Sequence, residues 1–158
     1  MPEITMQTAI QQIFALLSEC FEGPQGQGSW FLDNDPKAGW FGTLENVSAE
    51  QASRVIGGST IAAHAHHMLF SLEASAAWIR QERTPRKWSE SWKTQTVDEA
   101  AWSALREQMQ RRYRELREAI AGHAAGEEES MGGAIGALAH AAYHLGAIRQ
   151  KLVCMRDL

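Results

Sequence analysis

The sequence predicts an all-α protein that forms a single helical domain over residues 1–158. Alanine is abundant whereas valine and threonine are few, which favours helix over sheet. Alternating apolar and polar runs are almost absent, and apolar residues instead recur at steps of three and four in four long segments. A length of 158 residues and a hydrophobic fraction of 44% are ordinary for one globular domain.

The first long helix is predicted from about residue 4 to residue 21, since its apolar residues form one stripe. Gly23-Pro24 ends it, and a glycine-rich loop follows to about residue 40. Ser48 to Gln51 has the spacing of a capping box and predicts a short helix. We expect four aromatic side chains to hold the loop against the helices: Trp30, Phe31, Trp40 and Phe41.

The second and third long helices are separated by a connection that contains Trp88 and Trp92. The second helix is predicted from residue 59 or 60 to about residue 82. Thr96 to Glu99 has the spacing of another capping box, which would open the third helix, to about residue 122. The two tryptophans either anchor the connection to the helices or line a pocket, and the sequence leaves both interpretations open.

The third helix has an apolar face and a charged face. Arginines and acidic residues alternate on the charged face, which predicts a solvated surface and no nucleic-acid site. The net charge of −4 agrees, because nucleic-acid binders usually carry a basic excess. The apolar face consists of Trp102, Leu105, Met109, Tyr113, Leu116 and Ile120.

Five of the six histidines fall on two predicted helices, and they are the candidate metal ligands. On the fourth helix, about residues 130–155, His140 and His144 have the i,i+4 spacing that lets two imidazoles bind one ion. On the second helix, His64 and His67 share a face whereas His66 points elsewhere. One histidine from the second helix would complete a three-histidine site with open coordination positions. The alternative is a set of partly buried histidines with ordinary hydrogen bonds.

The register of these residues resembles that of the DinB-like superfamily of metal-binding four-helix bundles. Thr60-Ile61 followed by His67, together with the stretch His140-x-x-x-His144-x-Gly146-x-Ile148, carries the resemblance. The resemblance covers nearly the whole chain in helix order and linker lengths. The chain departs from the family at Ala147, where glutamine is frequent. That position is not a metal ligand, so the departure concerns fine specificity.

The resemblance implies a divalent metal ion bound by His67, His140 and His144, with His64 as second choice for the ligand on the second helix. Neutral imidazole suits zinc and nickel, and iron and manganese are alternatives. The resemblance also implies a four-helix bundle in up-down-down-up order. The connection between the second and third helices agrees, because about 14 residues reach about 46–50 Å when extended, longer than a helix of about 35 Å.

Two classes of function are compatible with such a site. The resemblance implies a metal-dependent enzyme that transfers or hydrolyses small, thiol-bearing or thiol-conjugated molecules, although no catalytic base is identified. The alternative is a non-catalytic, metal-stabilised bundle that binds a small ligand or acts as an oligomeric scaffold. We expect a small-molecule partner such as a low-molecular-weight thiol, a homodimer, and neither nucleic acid nor membrane as partner. A basic leader and an 18-residue apolar run are absent from the sequence, which predicts a cytoplasmic protein.

Overall fold

The computed structural model describes residues 5–26 and 28–156, which are helical throughout apart from their connections. The prediction of an all-α protein is confirmed for this part of the chain, where the only extended pairing is an isolated bridge between Ile56 and Ser59. The elements are α1 (Met6–Glu22), α2 (Trp40–Glu45), α3 (Ala49–Ala52), α4 (Ile61–Ile79), a 3-10 helix (Trp88–Trp92), α5 (Glu99–His123) and α6 (Glu128–Arg156).

Two of the predicted helix boundaries are confirmed by the local hydrogen bonds. α1 is capped at its C-terminal end by Gly23, which donates its N–H to the carbonyl of Glu19 and whose φ of 96° lies in the left-handed region that glycine adopts most readily. A side chain would not fit there, since a Cβ would lie 2.0 Å from the carbonyl oxygen of Pro36. The Ser48–Gln51 capping box is present in full and opens α3. The predicted start of α1 at residue 4 lies outside the described residues.

Two other boundaries differ from the predictions. α4 begins after Thr60 as expected, but it ends at Ile79, earlier than predicted, because Gln81 adopts a φ of 64° that no helix continues through. The predicted capping box at Thr96 is wrong. Asp98 caps α5 instead, and its carboxylate accepts a backbone N–H of the first turn.

α4 and α6 are antiparallel neighbours. His64, near the start of α4, lies 2.9 Å from His144 in the second half of α6. At the other end, the Ser130 hydroxyl at the start of α6 donates to the carbonyl of Ile79 over 2.7 Å. The two helices therefore face each other along the whole length of α4, and the histidines of both meet at this interface.

α4 and α5 run parallel. The Thr60 hydroxyl, which caps α4, donates to the carbonyl of Gln95 just before α5. Further along, Glu73 of α4 pairs with Arg112 of α5 at 3.3 Å. Parallel neighbours need a connection that travels back along the helix, and the segment between α4 and α5, which includes the 3-10 helix, fills this role.

α1 crosses α5 in the opposite direction and completes the apolar interior. The Tyr113 hydroxyl donates to Glu22 at 2.6 Å, and Arg117 donates to Ser18 at 2.9 Å. All six apolar residues predicted on one face of α5 are buried.

Within the described ranges, no helix combines the length and the apolar character that a membrane crossing requires.

The loop after α1 is held by a carboxylate and by only part of the expected aromatic set. Trp40 is buried in the core and Phe41 packs against it. The prediction is wrong for Trp30 and Phe31, whose exposed fractions are 78% and 42%. Buried Glu19 fixes this segment instead.

Glu19 organises the loop by accepting hydrogen bonds from four donors. Its carboxylate accepts the backbone N–H groups of Trp30, Phe31 and Leu32, at 2.9–3.0 Å, and the hydroxyl of Ser29. Burial by itself raises the pKa of this carboxyl group, but the four donors outweigh burial and hold the pKa below its usual value. Glu19 is therefore a charged residue whose hydrogen-bonding capacity is met entirely by the chain.

Candidate metal centre

Three imidazoles converge where α4 faces α6. His67 of α4 and the pair His140 and His144 of α6 each place a ring nitrogen within 4.8 Å of the other two. The Nε2 atom of His140 lies 3.1 Å from that of His67 and 2.9 Å from that of His144. His67 and His144 are buried, whereas His140 is partly exposed. The structure thus brings together the three histidines that the sequence singled out.

The hydrogen bonds of Ser91 fix the tautomer of His67. Ser91, in the 3-10 helix, donates its hydroxyl proton to the carbonyl of Trp88 over 2.6 Å. Its oxygen can therefore only accept from Nδ1 of His67, which lies 2.7 Å away. A neutral imidazole has one N–H, so Nε2 of His67 carries a lone pair directed at the other two rings.

The other two rings are oriented by contacts at Nδ1 as well. Nδ1 of His140 lies 2.7 Å from the hydroxyl of Ser71, one turn beyond His67 on α4. Nδ1 of His144 lies 2.9 Å from Nδ1 of His64. Each of the three rings is thus held at Nδ1, and each directs Nε2 toward the common point.

His64, the second choice for the α4 ligand, lies behind His144 and outside the group of three. Its Nε2 atom is 3.0 Å from the hydroxyl of Ser59, and its Nδ1 atom is the one that meets His144. With its proton on Nε2, His64 accepts the Nδ1–H of His144 and leaves Nε2 of His144 unprotonated. Such an outer hydrogen bond is the usual support of a histidine that binds metal.

All four rings are neutral at neutral pH. Burial is the main cause, and it lowers the pKa of His67 and of His64 to about 4, that of His144 to about 3, and that of His140 below its usual value. The proximity of other histidines lowers the pKa of His67 and of His144 further. Neutral imidazole is the form that binds a metal ion.

Hydrogen bonds among the three rings cannot satisfy all three converging Nε2 atoms. His67 has its proton on Nδ1, so only a proton on His140 Nε2 could bridge these two rings. That proton could not also form a straight hydrogen bond to His144. By contrast, two nitrogens that each lie about 2.0–2.1 Å from one ion are about 2.9–3.4 Å apart for bond angles of about 90–110°. The observed separations of 2.9 and 3.1 Å fit one shared cation.

Aromatic side chains of the connection enclose the histidines. The indole of Trp92 stacks on His67 with ring centroids 4.2 Å apart and an angle of 18°. Trp88 is the next neighbour, with its centroid 6.0 Å from that of His67. Both interpretations left open by the sequence therefore hold, because these contacts anchor the connection and also form a wall of the candidate centre.

Sequence reasoning missed the serines that orient the rings. Ser71 lies four residues after His67 on α4, and this i,i+4 spacing is a signal that could have identified it. Ser59 and Ser91 lie in connections and show no periodicity. Glu73, the one acidic residue of α4, pairs with Arg86 and Arg112.

We compared the chain with protein-family models, with curated proteins and with solved structures. None of the three comparisons gives a match. The geometry of the three histidines therefore carries the functional argument.

Proposed function

We propose that His67, His140 and His144 bind one divalent metal ion through their Nε2 atoms. The supporting observation is that three neutral imidazoles, each held at Nδ1, direct their Nε2 atoms at one point. Zinc and nickel suit such ligands best, and iron(II) and manganese are alternatives. Three protein ligands leave coordination positions for a small molecule, as in catalytic metal sites.

The proposal includes a four-helix bundle of the DinB-like type. α1, α4, α5 and α6 would be its four long helices in up-down-down-up order, with α2 and α3 as additions. The antiparallel contacts of α4 with α6, the parallel contacts of α4 with α5 and the antiparallel contacts of α1 with α5 support this order. The long connection that carries the 3-10 helix is the crossover that this order requires.

As the function, we propose a metal-dependent transfer or hydrolysis of a small, thiol-bearing or thiol-conjugated molecule. A bound divalent ion supplies Lewis acidity, which favours the anionic form of a thiol or a water molecule at neutral pH. Ser91, Ser71 and His64 keep the three rings in a fixed orientation, so the site needs no rearrangement to bind. Partly exposed His140 marks the side from which a substrate would enter.

A second candidate is a metal-stabilised bundle without catalytic activity, serving as a small-ligand-binding or oligomeric scaffold. The observation that favours it is the position of Trp92, whose indole covers His67 and also contacts His144 with ring centroids 5.7 Å apart. A centre closed by this indole would stabilise the α4–α6 interface and exclude substrate. The two candidates differ in whether an external ligand reaches the ion.

Cobalt substitution separates these functions. We expect the purified protein to bind one Co²⁺ per chain and its visible spectrum to change when a small thiol is added. Thiol-conjugation assays with and without chelator then test turnover. An unchanged cobalt spectrum at saturating thiol would favour the scaffold, and failure to bind any divalent ion would refute the metal centre itself.

We also propose that the protein is a cytoplasmic homodimer. The outer face of α6 exposes three large apolar side chains, Ile135, Tyr143 and Val153, with exposed fractions of 53%, 73% and 48%. Burying such side chains against a second copy is favourable. Cys20 and Cys154 are free thiols, which fits a reducing compartment. Light scattering at micromolar concentration tests the dimer, and a monomeric mass would refute it.

A further inference from the structure

A cavity adjoins the three-histidine centre. It has a volume of about 410 Å³ and lies between the second half of α4, the following connection and the start of α6. This volume is within the range of small-molecule sites, roughly 300–1,000 Å³. Its lining includes Ser75, Trp78, Arg83, Arg86, Trp88 and Gly133, together with Glu82, whose carboxylate pairs with Arg80 at 2.8 Å.

Trp88 connects this cavity to the histidines. Its indole lines the cavity, and its ring centroid lies 6.0 Å from that of His67. On α4, Ser75 lines the cavity one turn beyond Ser71, the serine that contacts His140. The cavity therefore continues the α4–α6 interface at the point where the three-histidine centre ends.

Two indoles line the cavity, and the guanidinium of Arg83 lies over one face of Trp78 at 3.9 Å from the ring centroid. Trp78 and Trp88 are 45% and 49% exposed, although tryptophan is usually well covered in a folded protein. Gly133 of α6 makes room for one of them, since a Cβ at this position would lie 2.9 Å from Cδ1 of Trp78. Exposed indoles that line a concavity are suited to stack on a planar ligand.

The two arginines of the cavity differ in how fully they are used. Arg83 donates to the carbonyl of Trp78, to Gln81 and to Glu129. Arg86 donates through Nη1 to Glu73 at 3.0 Å, and its Nε and Nη2 groups have no hydrogen-bond partner among residues 5–26 and 28–156. Arg86 can therefore offer two donors in a fixed plane, the arrangement that binds a carboxylate in a bidentate manner.

We propose that this cavity binds a small anionic molecule with a flat apolar body, whose carboxylate pairs with Arg86 and whose body lies against Trp78 and Trp88. Because Trp88 is shared with the three-histidine centre, the bound molecule extends toward that centre and is its substrate. The assignment as a substrate rests on the proposed function. The binding itself does not, because no histidine of the centre takes part.

The test uses 2-naphthoate as probe and the uncharged 2-naphthamide as its matched control, with binding measured by calorimetry. We expect the wild type to bind 2-naphthoate in the micromolar to millimolar range and to prefer it over the amide. Arg86→Gln should weaken 2-naphthoate binding by about tenfold or more, since a charge-assisted pair is lost, and should leave the amide unaffected. The fold should survive because Glu73 keeps its pairing with Arg112.

Two further variants locate the probe. Trp88→Leu should weaken both probes, whereas Trp30→Leu, which changes an exposed loop residue, should weaken neither. Equal binding of the two probes, or unchanged 2-naphthoate binding by Arg86→Gln, would overturn the inference. So would the absence of any binding to the wild type.

The His144→Ala variant separates this inference from the proposed function. It should lose metal affinity and still bind 2-naphthoate with the wild-type affinity. If the wild type binds no divalent ion but binds 2-naphthoate through Arg86, the metal centre is refuted and the cavity site stands. If metal binds and 2-naphthoate does not, the cavity site alone is refuted.

Discussion

Two buried polar groups of this protein are built in opposite ways. Glu19 is an acceptor surrounded by donors, since Ser29 and three backbone N–H groups all reach its carboxylate. At the α4–α6 interface, His67, His140 and His144 direct their Nε2 atoms toward one another, and no single proton on them can serve all three. Both groups are enclosed, but only Glu19 has its hydrogen-bond partners supplied by the described residues.

The difference shows how a structural polar group is distinguished from a binding site. A buried charge with all its hydrogen bonds made stabilises the fold around it and needs nothing further. Buried lone pairs that converge without a proton are unfavourable unless a cation joins them. We therefore expect changes at Glu19 to alter stability and to leave metal affinity nearly unchanged. Changes at the three histidines should alter metal affinity and have little effect on the stability of the protein without metal.

Removing the Glu19 carboxylate should have the largest effect. Glu19→Ala leaves the Ser29 hydroxyl and the N–H groups of Trp30 and Phe31 without their acceptor, and we expect the free energy of unfolding to fall by about 3 kcal/mol. Urea unfolding measures this, with Glu50→Ala at an exposed position of α3 as control. Losses of similar size in the two variants would contradict the role given to Glu19, and metal affinity should change in neither.

Removing one ligand should affect metal affinity almost as strongly. His144→Ala leaves two of the three nitrogens, and we expect zinc affinity to fall by more than about 100-fold, or about 2.7 kcal/mol. His123→Ala, on α5, is the control, because the ring of His123 contacts a carbonyl of its own helix. A competition titration with a chromophoric chelator measures both. Equal affinities of His144→Ala and the wild type would refute the ligand set.

His64→Ala should have a smaller effect of the same kind. Without His64, the His144 ring loses the partner of its Nδ1 atom, and loss of such an outer contact weakens metal binding by about 10- to 100-fold. We expect the loss of zinc affinity to lie at the lower end of this range, well below the loss caused by His67→Ala. The reverse order, with His64→Ala the more damaging variant, would mean that His64 is the ligand from α4.

The pH dependence of stability provides a finer test of Glu19. Its folded-state pKa lies below the ordinary value of about 4.5, so its contribution is complete above that value and is lost as the pH falls through the folded-state pKa. The difference in unfolding free energy between the wild type and Glu19→Gln should therefore stay constant from neutral pH down to about 5. It should then narrow toward pH 3, and a difference that stays constant to pH 3 would show that the charge is unimportant.

Much of the fold could be predicted because its signals are local. Helical periodicity identified the buried face of α5, and the Ser48–Gln51 pattern identified α3. The role of Glu19 could not be predicted, because its partners lie ten or more residues away in a loop without periodicity. For the same reason, the expectation that Trp30 holds the loop against the helices is wrong, since its side chain is exposed. At α5, Thr96 has the glutamate three residues later that a capping box requires, whereas Asp98, which has Ala101 at that position, is the residue that caps the helix.

The three histidines of the candidate centre could be predicted, but the groups that orient their rings could not. The i,i+4 spacing of His140 and His144 fixes their relation on α6, whereas the spacing on α4 left His64 and His67 open and only the family resemblance favoured His67. The position of His64 depends on how deeply α4 and α6 interlock and on the turn that carries Ser59. Such contacts between distant segments leave no mark in the sequence.

The central claim is that Nε2 of His67, His140 and His144 share one metal ion, and nitrogen NMR of the histidine rings tests it most directly. In ¹⁵N-labelled apo protein, we expect these three rings to carry their proton on Nδ1. On titration with zinc, their Nε2 resonances should move together and saturate at one ion per chain, whereas His123 should not respond. Saturation without a response of these Nε2 atoms, or a direct zinc-ligand shift at His64, would contradict the account.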